Sequence, residues 1–164
     1  MRPPKGLNTD GVFQQTRGTS TAGGLLRDDS RSCIHWFSYH IGVFSVLCTE
    51  LWGILIGLEM ACNEGYRKLL LEVDSATAVQ LLSSASNLHG SHKQVVSAIH
   101  QLWQSRPWEV LSCHIYREAN GSGDWLAAYA CPLLLGISYF SEAPFGCVNL
   151  LLEDIYSVVT PRFC

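Results

Sequence analysis

Apolar residues recur along this chain with two periods, and the points where the period changes mark its elements. Leu7 to Phe13 fits a first strand, Gly23 to Arg27 a second and Cys33 to His40 a third. Thr16 to Ala22, rich in Gly, Ser and Thr, reads as the turn between the first two, and Asp28-Asp29-Ser30 as the next hairpin turn. Three short strands joined by tight links are most simply antiparallel. The period then becomes helical. Leu51, Ile54, Leu55, Leu58 and Cys62 recur at i, i+3, i+4 spacing, with Ser45 as N-cap and Gly65 as the C-terminal stop. Lys68 to Val73 is an apolar run of strand length, the mark of a strand covered on both faces and central in its sheet. Ser75 caps a short helix through Leu82, and the polar stretch from Ser83 to Ser91 comes next. A further helix sets Val95, Val96, Ile99, Leu102 and Trp103 on one face and ends before Pro107. Trp108 to Tyr116 alternates, with Leu111, Cys113 and Ile115 on one side and Ser112, His114 and Tyr116 on the other. A last helix begins near Gly123. This order predicts an α/β fold, a mixed sheet with helices on its faces.

Four acidic residues interrupt the apolar pattern. Asp10 lies in the first strand, Glu50 opens the helix Leu51-Trp52-Gly53-Ile54-Leu55, Asp74 closes Leu69-Leu70-Leu71-Glu72-Val73, and Asp124 directly precedes Trp125-Leu126-Ala127-Ala128. Carboxylates are rarely buried without a partner, and several that converge accept a hard cation such as magnesium. Each also has a plainer reading: turn chemistry for Asp10 before Gly11, and helix-start dipole partners for the other three.

At 164 residues the chain fits one domain with a tail. We expect residues 1–4 to be an extension, 5–132 the domain and 133–164 the tail. The net charge of -3 and pI near 6.0 exclude a protein that holds nucleic acid mainly through a basic field. The cysteines are odd in number and form no C-x-x-C pair, which favours reduced thiols over a disulfide framework or a zinc site. The start, Met1-Arg2-Pro3-Pro4-Lys5, is too short and polar for a signal peptide, so an intracellular protein, nuclear or cytoplasmic, is expected. Trp125 to Ser141 is uncharged but shorter than the ~20 residues of a membrane span and broken by Pro132 and Gly136, so no membrane role is expected. A monomer is expected.

Four segments, Leu7-Asn8-Thr9-Asp10-Gly11, Thr49-Glu50-Leu51-Trp52-Gly53, Glu72-Val73-Asp74-Ser75 and Tyr116-Arg117-Glu118-Ala119-Asn120-Gly121-Ser122-Gly123-Asp124-Trp125-Leu126-Ala127, resemble ribonuclease H. The likeness is strongest to the ribonuclease H-like domains of plants related to non-LTR retroelement reverse transcriptases, and it runs over about residues 5 to 130. The tail segment Asn149-Leu150-Leu151-Leu152-Glu153-Asp154 also resembles the stretch just after that domain in those proteins. The resemblance implies a five-stranded mixed sheet, three antiparallel strands and then parallel ones, with helices on both faces. It sets Asp10 beside Asp74, brings Glu50 from the first helix and Asp124 from the last, and implies hydrolysis of RNA paired to DNA. Carboxylates so close repel one another and are held ionised only by cations. Two Mg2+ ions, with Mn2+ a substitute, are the natural complement, clamping the attacking water and the leaving 3′ oxygen from about 3.5 to 4 Å apart. By analogy Asp10 would bridge the ions, Asp124 would help hold the one that activates water, and Glu50 and Asp74 would bind the one at the leaving group. Contacts to 2′-hydroxyls of an RNA/DNA hybrid would fall to Asn8, Gln14, Gln15, Thr16, Arg17 and Asn120.

The chain departs from better-known members of that family at four places. Arg117-Glu118-Ala119-Asn120 replaces a histidine-bearing loop, and His114 reads as a packed strand residue rather than its substitute. Residues 83 to 93 offer only His89, His92 and Lys93 in place of a basic handle, so weak substrate affinity is expected. Arg17-Gly18-Thr19-Ser20 replaces an Asn-Pro-Gly turn, and Gly123 stands where alanine is common, which loosens the helix start carrying Asp124. These departures keep open a second reading: a catalytically weak or silent domesticated domain that binds nucleic acid or a protein.

Overall fold

The structure, a computed structural model, describes residues 3–84 and 89–156. Met1 and Arg2 of the extension, residues 85–88 of the polar stretch and residues 157–164 of the tail lie outside the described residues. The chain runs through β1 (Lys5–Gln14), β2 (Thr19–Arg27), β3 (Cys33–Gly42), α1 (Val46–Asn63), β4 (Lys68–Val73), α2 (Ala76–Ser83), α3 (Lys93–Gln104), β5 (Glu109–His114), α4 (Gly121–Tyr129), β6 (Gly136–Phe140) and α5 (Val148–Tyr156). A 3-10 turn, Arg117–Ala119, leads into α4. The sheet order is β5-β4-β1-β2-β3-β6. β1, β2 and β3 are antiparallel, and β4 lies parallel to both β1 and β5.

The helix signals act where the sequence predicts. Ser45 accepts from Cys48 N at 3.3 Å to start α1 and Ser75 accepts from Ala78 N at 3.3 Å to start α2. Gly65 N and Tyr66 N return to Cys62 O and Ala61 O to close α1. By length and composition α1 could cross a membrane, but 72% of it is buried within the protein, as a core helix must be. It lies on one sheet face with Leu7, Leu71, Val73 and Ile99 of the main core. The opposite face carries a smaller core of Leu25, Trp36, Leu126, Cys147 and Leu151. No disulfide joins the six described cysteines.

Three expectations change. β2 begins at Thr19, because Thr19 to Ala22 pair with Gln14 to Gly11 and are buried. Their hydroxyls hide a strand from any search for apolar alternation; Ser20 Oγ donates to Phe44 O at 2.9 Å and Thr19 Oγ1 to Gly42 O at 3.2 Å. Leu111, placed on one side of its strand with Cys113 and Ile115, is 65% exposed while those two are buried, because β5 is an edge strand that the core covers only in part. The sheet has six strands rather than five: residues of the expected tail form β6, which pairs antiparallel with β3 from Trp36↔Phe140 to His40↔Gly136. An antiparallel β3 would otherwise leave its outer row of backbone groups unpaired, and a short uncharged segment satisfies them.

Gly23 fixes the distance between β2 and α4. A Cβ there would stand 2.3 Å from Ala127 N and 2.4 Å from Leu126 C, both backbone atoms that cannot swing aside. Gly23→Ala is therefore expected to cost about 3 kcal/mol, at the upper end of overpacking penalties. For a domain of this size that lowers Tm by roughly 6–12 °C, measurable by thermal denaturation. An unchanged Tm would mean that α4 does not lie directly on β2.

Candidate active site

Asp10 and Asp74 are brought together by the parallel pairing of β1 with β4. Thr9 pairs with Val73, so Asp10, which continues β1, and Asp74, which directly follows β4, lie side by side at the C-terminal end of β4. Glu50 arrives from the first turns of α1, and Gly11 makes that approach possible: a Cβ on it would lie 2.6 Å from Glu50 N. Carboxylate oxygens of Asp10, Glu50 and Asp74 lie within 4.8 Å of one another. They line one cleft of about 400 Å³ with Gly11, Val12, Phe13, Val46, Ser75 and Arg117.

Asp10 and Glu50 are buried, 3% and 7% exposed, while Asp74 is half-buried. Burial first, then the charges of Asp74 and Asp124, push the Asp10 carboxyl up to about 7, although Gly11 N donates to its Oδ1 at 2.8 Å. Burial, then Asp10 and Asp74, push Glu50 up to about 9. Asp74 is also raised by burial, opposed chiefly by the Arg117 guanidinium. Glu50 Oε2 is buried with no hydrogen-bond partner among the described residues. Oxygen donors packed this closely, one of them unsatisfied, suit a small hard divalent cation that would neutralise them.

Asp124 is placed differently from the other three. It sits on the first turn of α4 with its side chain 44% exposed, and Arg117 Nη2 lies 3.4 Å from its Oδ1. It is within hydrogen-bonding reach of Asp10 and raises that group's pKa, so it borders the cluster rather than joining its centre. Leu126 and Ala127, which follow it on the helix, are fully buried, while Asp124 lies beside Arg117.

Of the residues expected to contact a hybrid, Gln15, Thr16 and Arg17 are exposed on the β1–β2 turn and Gln14 is half-buried at its start. Asn8 and Asn120 are buried instead. Asn8 Oδ1 accepts from Arg27 Nε at 3.3 Å, and Asn120 Nδ2 donates to Thr9 O at 2.9 Å. Gly123 packs against the Asn120 amide: a Cβ there would meet Asn120 Oδ1 at 2.9 Å. His114 lies at the end of β5 with Nε2 3.2 Å from Asp74 O, packed against Tyr116. Sequence reasoning passed over Arg117, the one basic residue among the described residues that line the cleft; its signal was a lone cation in the short link before α4.

Residues 8–130 match the family described as reverse transcriptase-like. A protein of Arabidopsis thaliana provisionally named a ribonuclease H protein is 36% identical over 156 residues, 95% of this chain, and the chain spans 25% of that relative's length. RNase H1 of the halophilic archaeon Halobacterium salinarum has the same fold, with a TM-score of 0.71 at 19% identity over 78% of this chain and 97% of its own. LC11-RNase H1, isolated from compost and solved in complex with an RNA/DNA hybrid, gives a TM-score of 0.71 at 21% identity over 77% of this chain and 95% of its own. With its family match, its relative and its strand order in agreement, the chain belongs to the reverse transcriptase-like family of ribonuclease H-like domains.

Proposed function

We propose that this domain is a metal-dependent endonuclease that hydrolyses the RNA strand of RNA/DNA hybrids. The observation that carries the proposal is the convergence of Asp10, Glu50 and Asp74 within 4.8 Å, with Asp124 at the margin, in a cleft open to solvent. Asp10, Glu50 and Asp74 would hold two magnesium or manganese ions, with Asp124 completing the set beside Asp10. Such ions stabilise charge at a phosphodiester and activate water for attack. The chain's own residues supply the rest. Burial of Asp10 and Glu50 makes the site costly to ionise without a cation, so it is selective for cation-loaded states. Arg117, already drawn toward Asp124, sits where it can meet a phosphate at the cleft mouth. Gln15, Thr16 and Arg17 offer contacts along the hybrid from the β1–β2 turn.

This reading is tested by incubating the chain and Mg2+ with hybrid, double-stranded RNA and double-stranded DNA of one sequence. Cutting confined to the RNA of the hybrid is expected; equal cutting of all three, or none, would sink it. A second reading, a slow or silent binding domain, is favoured by the lining of the cleft, three carboxylates against one arginine. It expects hybrid or protein binding that persists when the carboxylates are replaced.

The raised pKa values give a pH dependence. Between pH 6 and 9 protons occupy sites that a cation needs, since Asp10 titrates near 7 and Glu50 near 9. Mg2+ affinity is therefore expected to rise with pH across that window, with proton release that isothermal titration reads in buffers of differing ionisation enthalpy. Affinity that is flat with pH, without released protons, would show that these carboxylates are not the ligands.

A further inference from the structure

We propose that Asn120 is a positioning residue that sets the spacing of Asp10, Asp74 and Asp124 before any ion binds. The inference rests on the metal-site reading above and concerns how the site is held rather than what it cuts. Asn120 is 1% exposed, so substrate cannot touch its side chain without local opening. Its Nδ2 donates to Thr9 O at 2.9 Å across 111 residues of sequence. Thr9 immediately precedes Asp10, and it pairs with Val73, which immediately precedes Asp74. The main-chain carbonyl of Asn120 accepts from Asp124 N at 3.1 Å. One residue thus ties the backbone beside three carboxylates, at the point where β1, β4 and α4 meet. The same amide also hydrogen-bonds the Asp74 carboxylate and favours its charged form.

The link before α4 explains the need. Between the end of β5 at His114 and the start of α4 at Gly121 there is only a 3-10 turn, whose Arg117 and Glu118 are exposed. The Asn120 amide is a direct tie between the start of α4 and the strand bearing Asp10. Gly123 leaves the space that the Asn120 amide fills, so the pair 120 and 123 acts as one packing unit. Groups that hold metal ligands in place are typically worth about 10- to 100-fold in metal affinity.

The test uses the full chain, Mn2+ titration calorimetry without nucleic acid, thermal denaturation in chelator, and hybrid cleavage kinetics. Asn120→Ala is expected to weaken Mn2+ binding about 10- to 100-fold. The hybrid KM should stay unchanged, and kcat should recover at saturating metal. The double variant Asn120→Ala with Gly123→Ala places a methyl group in the vacated space. It is expected to regain thermal stability while metal affinity stays low. Recovery of both would make Asn120 merely structural and overturn the proposal, as would a double variant that stays unfolded. A raised hybrid KM with unaltered metal binding would make it a substrate contact, also against the proposal. If the wild type binds Mn2+ but cuts no hybrid, the hydrolase reading fails while the titration still decides the role of Asn120.

Discussion

Asp10→Asn is expected to abolish metal-dependent cleavage and, in the same molecule, to raise the stability of the metal-free fold. The two effects share one cause. Asp10 is buried among Glu50, Asp74 and Asp124, and its pKa stands near 7 against an ordinary value of 3.8. A raised carboxyl is no burden below about pH 4, where both folded and unfolded states carry the proton. It grows costly as pH rises and costs most above about 7, where folding must bury the ionised form. The full difference corresponds to roughly 4 kcal/mol at 1.36 kcal/mol per pH unit. Asparagine, neutral and nearly isosteric, is expected to recover about half of that at pH 8, a Tm rise of roughly 4–8 °C in chelator. Loss of a ligand central to the cluster is expected to slow cleavage by roughly 1000-fold or more, about 4 kcal/mol of transition-state stabilisation. Mg2+ should then raise the Tm of the wild type and leave that of the variant nearly unchanged. Cleavage within tenfold of wild type, or a Tm that falls at pH 8, would contradict the account.

Ending the chain after Pro132 is expected to unfold the domain or leave it aggregation-prone. The family match stops at residue 130, yet the second core continues into Cys147 and Leu151, which are buried against Leu25, Trp36 and Leu126. Phe140 and Ala143 pack against the same cluster, and Trp125 stacks on Tyr129, which in turn meets Phe140. Removing these contacts re-exposes large apolar side chains at about 1.5–3 kcal/mol each, together about 5 kcal/mol. That approaches the whole stability of an ordinary domain, about 5–15 kcal/mol. Deletion also bares the outer edge of β3, a ready template for pairing with another chain. Urea denaturation and size-exclusion chromatography of residues 1–132 would check it. A shortened chain that stays monodisperse, with a midpoint near that of the full chain, would show that β6 and α5 are accessory.

The elements legible in the sequence are those whose physics is local. The apolar run Leu69 to Leu71 could only be a covered strand, and the Ser45, Gly65 and Ser75 signals act within a turn of themselves, so α1, β4 and α2 sit where expected. Asp10, Glu50 and Asp74 could be placed because each borders such an element. The first half of β2 was hidden, since Thr19, Ser20 and Thr21 bury hydroxyls, and those of Thr19 and Ser20 find partners at the end of β3 and just after it. β6 was hidden because Gly136 to Phe140 becomes a strand only when β3 presents an edge, which no local pattern announces. Asn120 looked like a polar group at a helix start, and only the fold reveals that its amide reaches inward to β1. Asp124 lies beside Asp10 at the margin of the cluster, and its contact with Arg117 across the short link before α4 is visible only in the fold.

The most direct test of the central claim is to cut a hybrid whose RNA strand is end-labelled, in Mg2+ and in chelator, and to identify the new RNA ends. Mg2+-dependent internal cuts leaving 3′-hydroxyl and 5′-phosphate ends are expected, absent with Asp10→Asn and with Asp74→Asn. Cutting that persists in chelator or in both variants, or that leaves 2′,3′-cyclic phosphates, would contradict it.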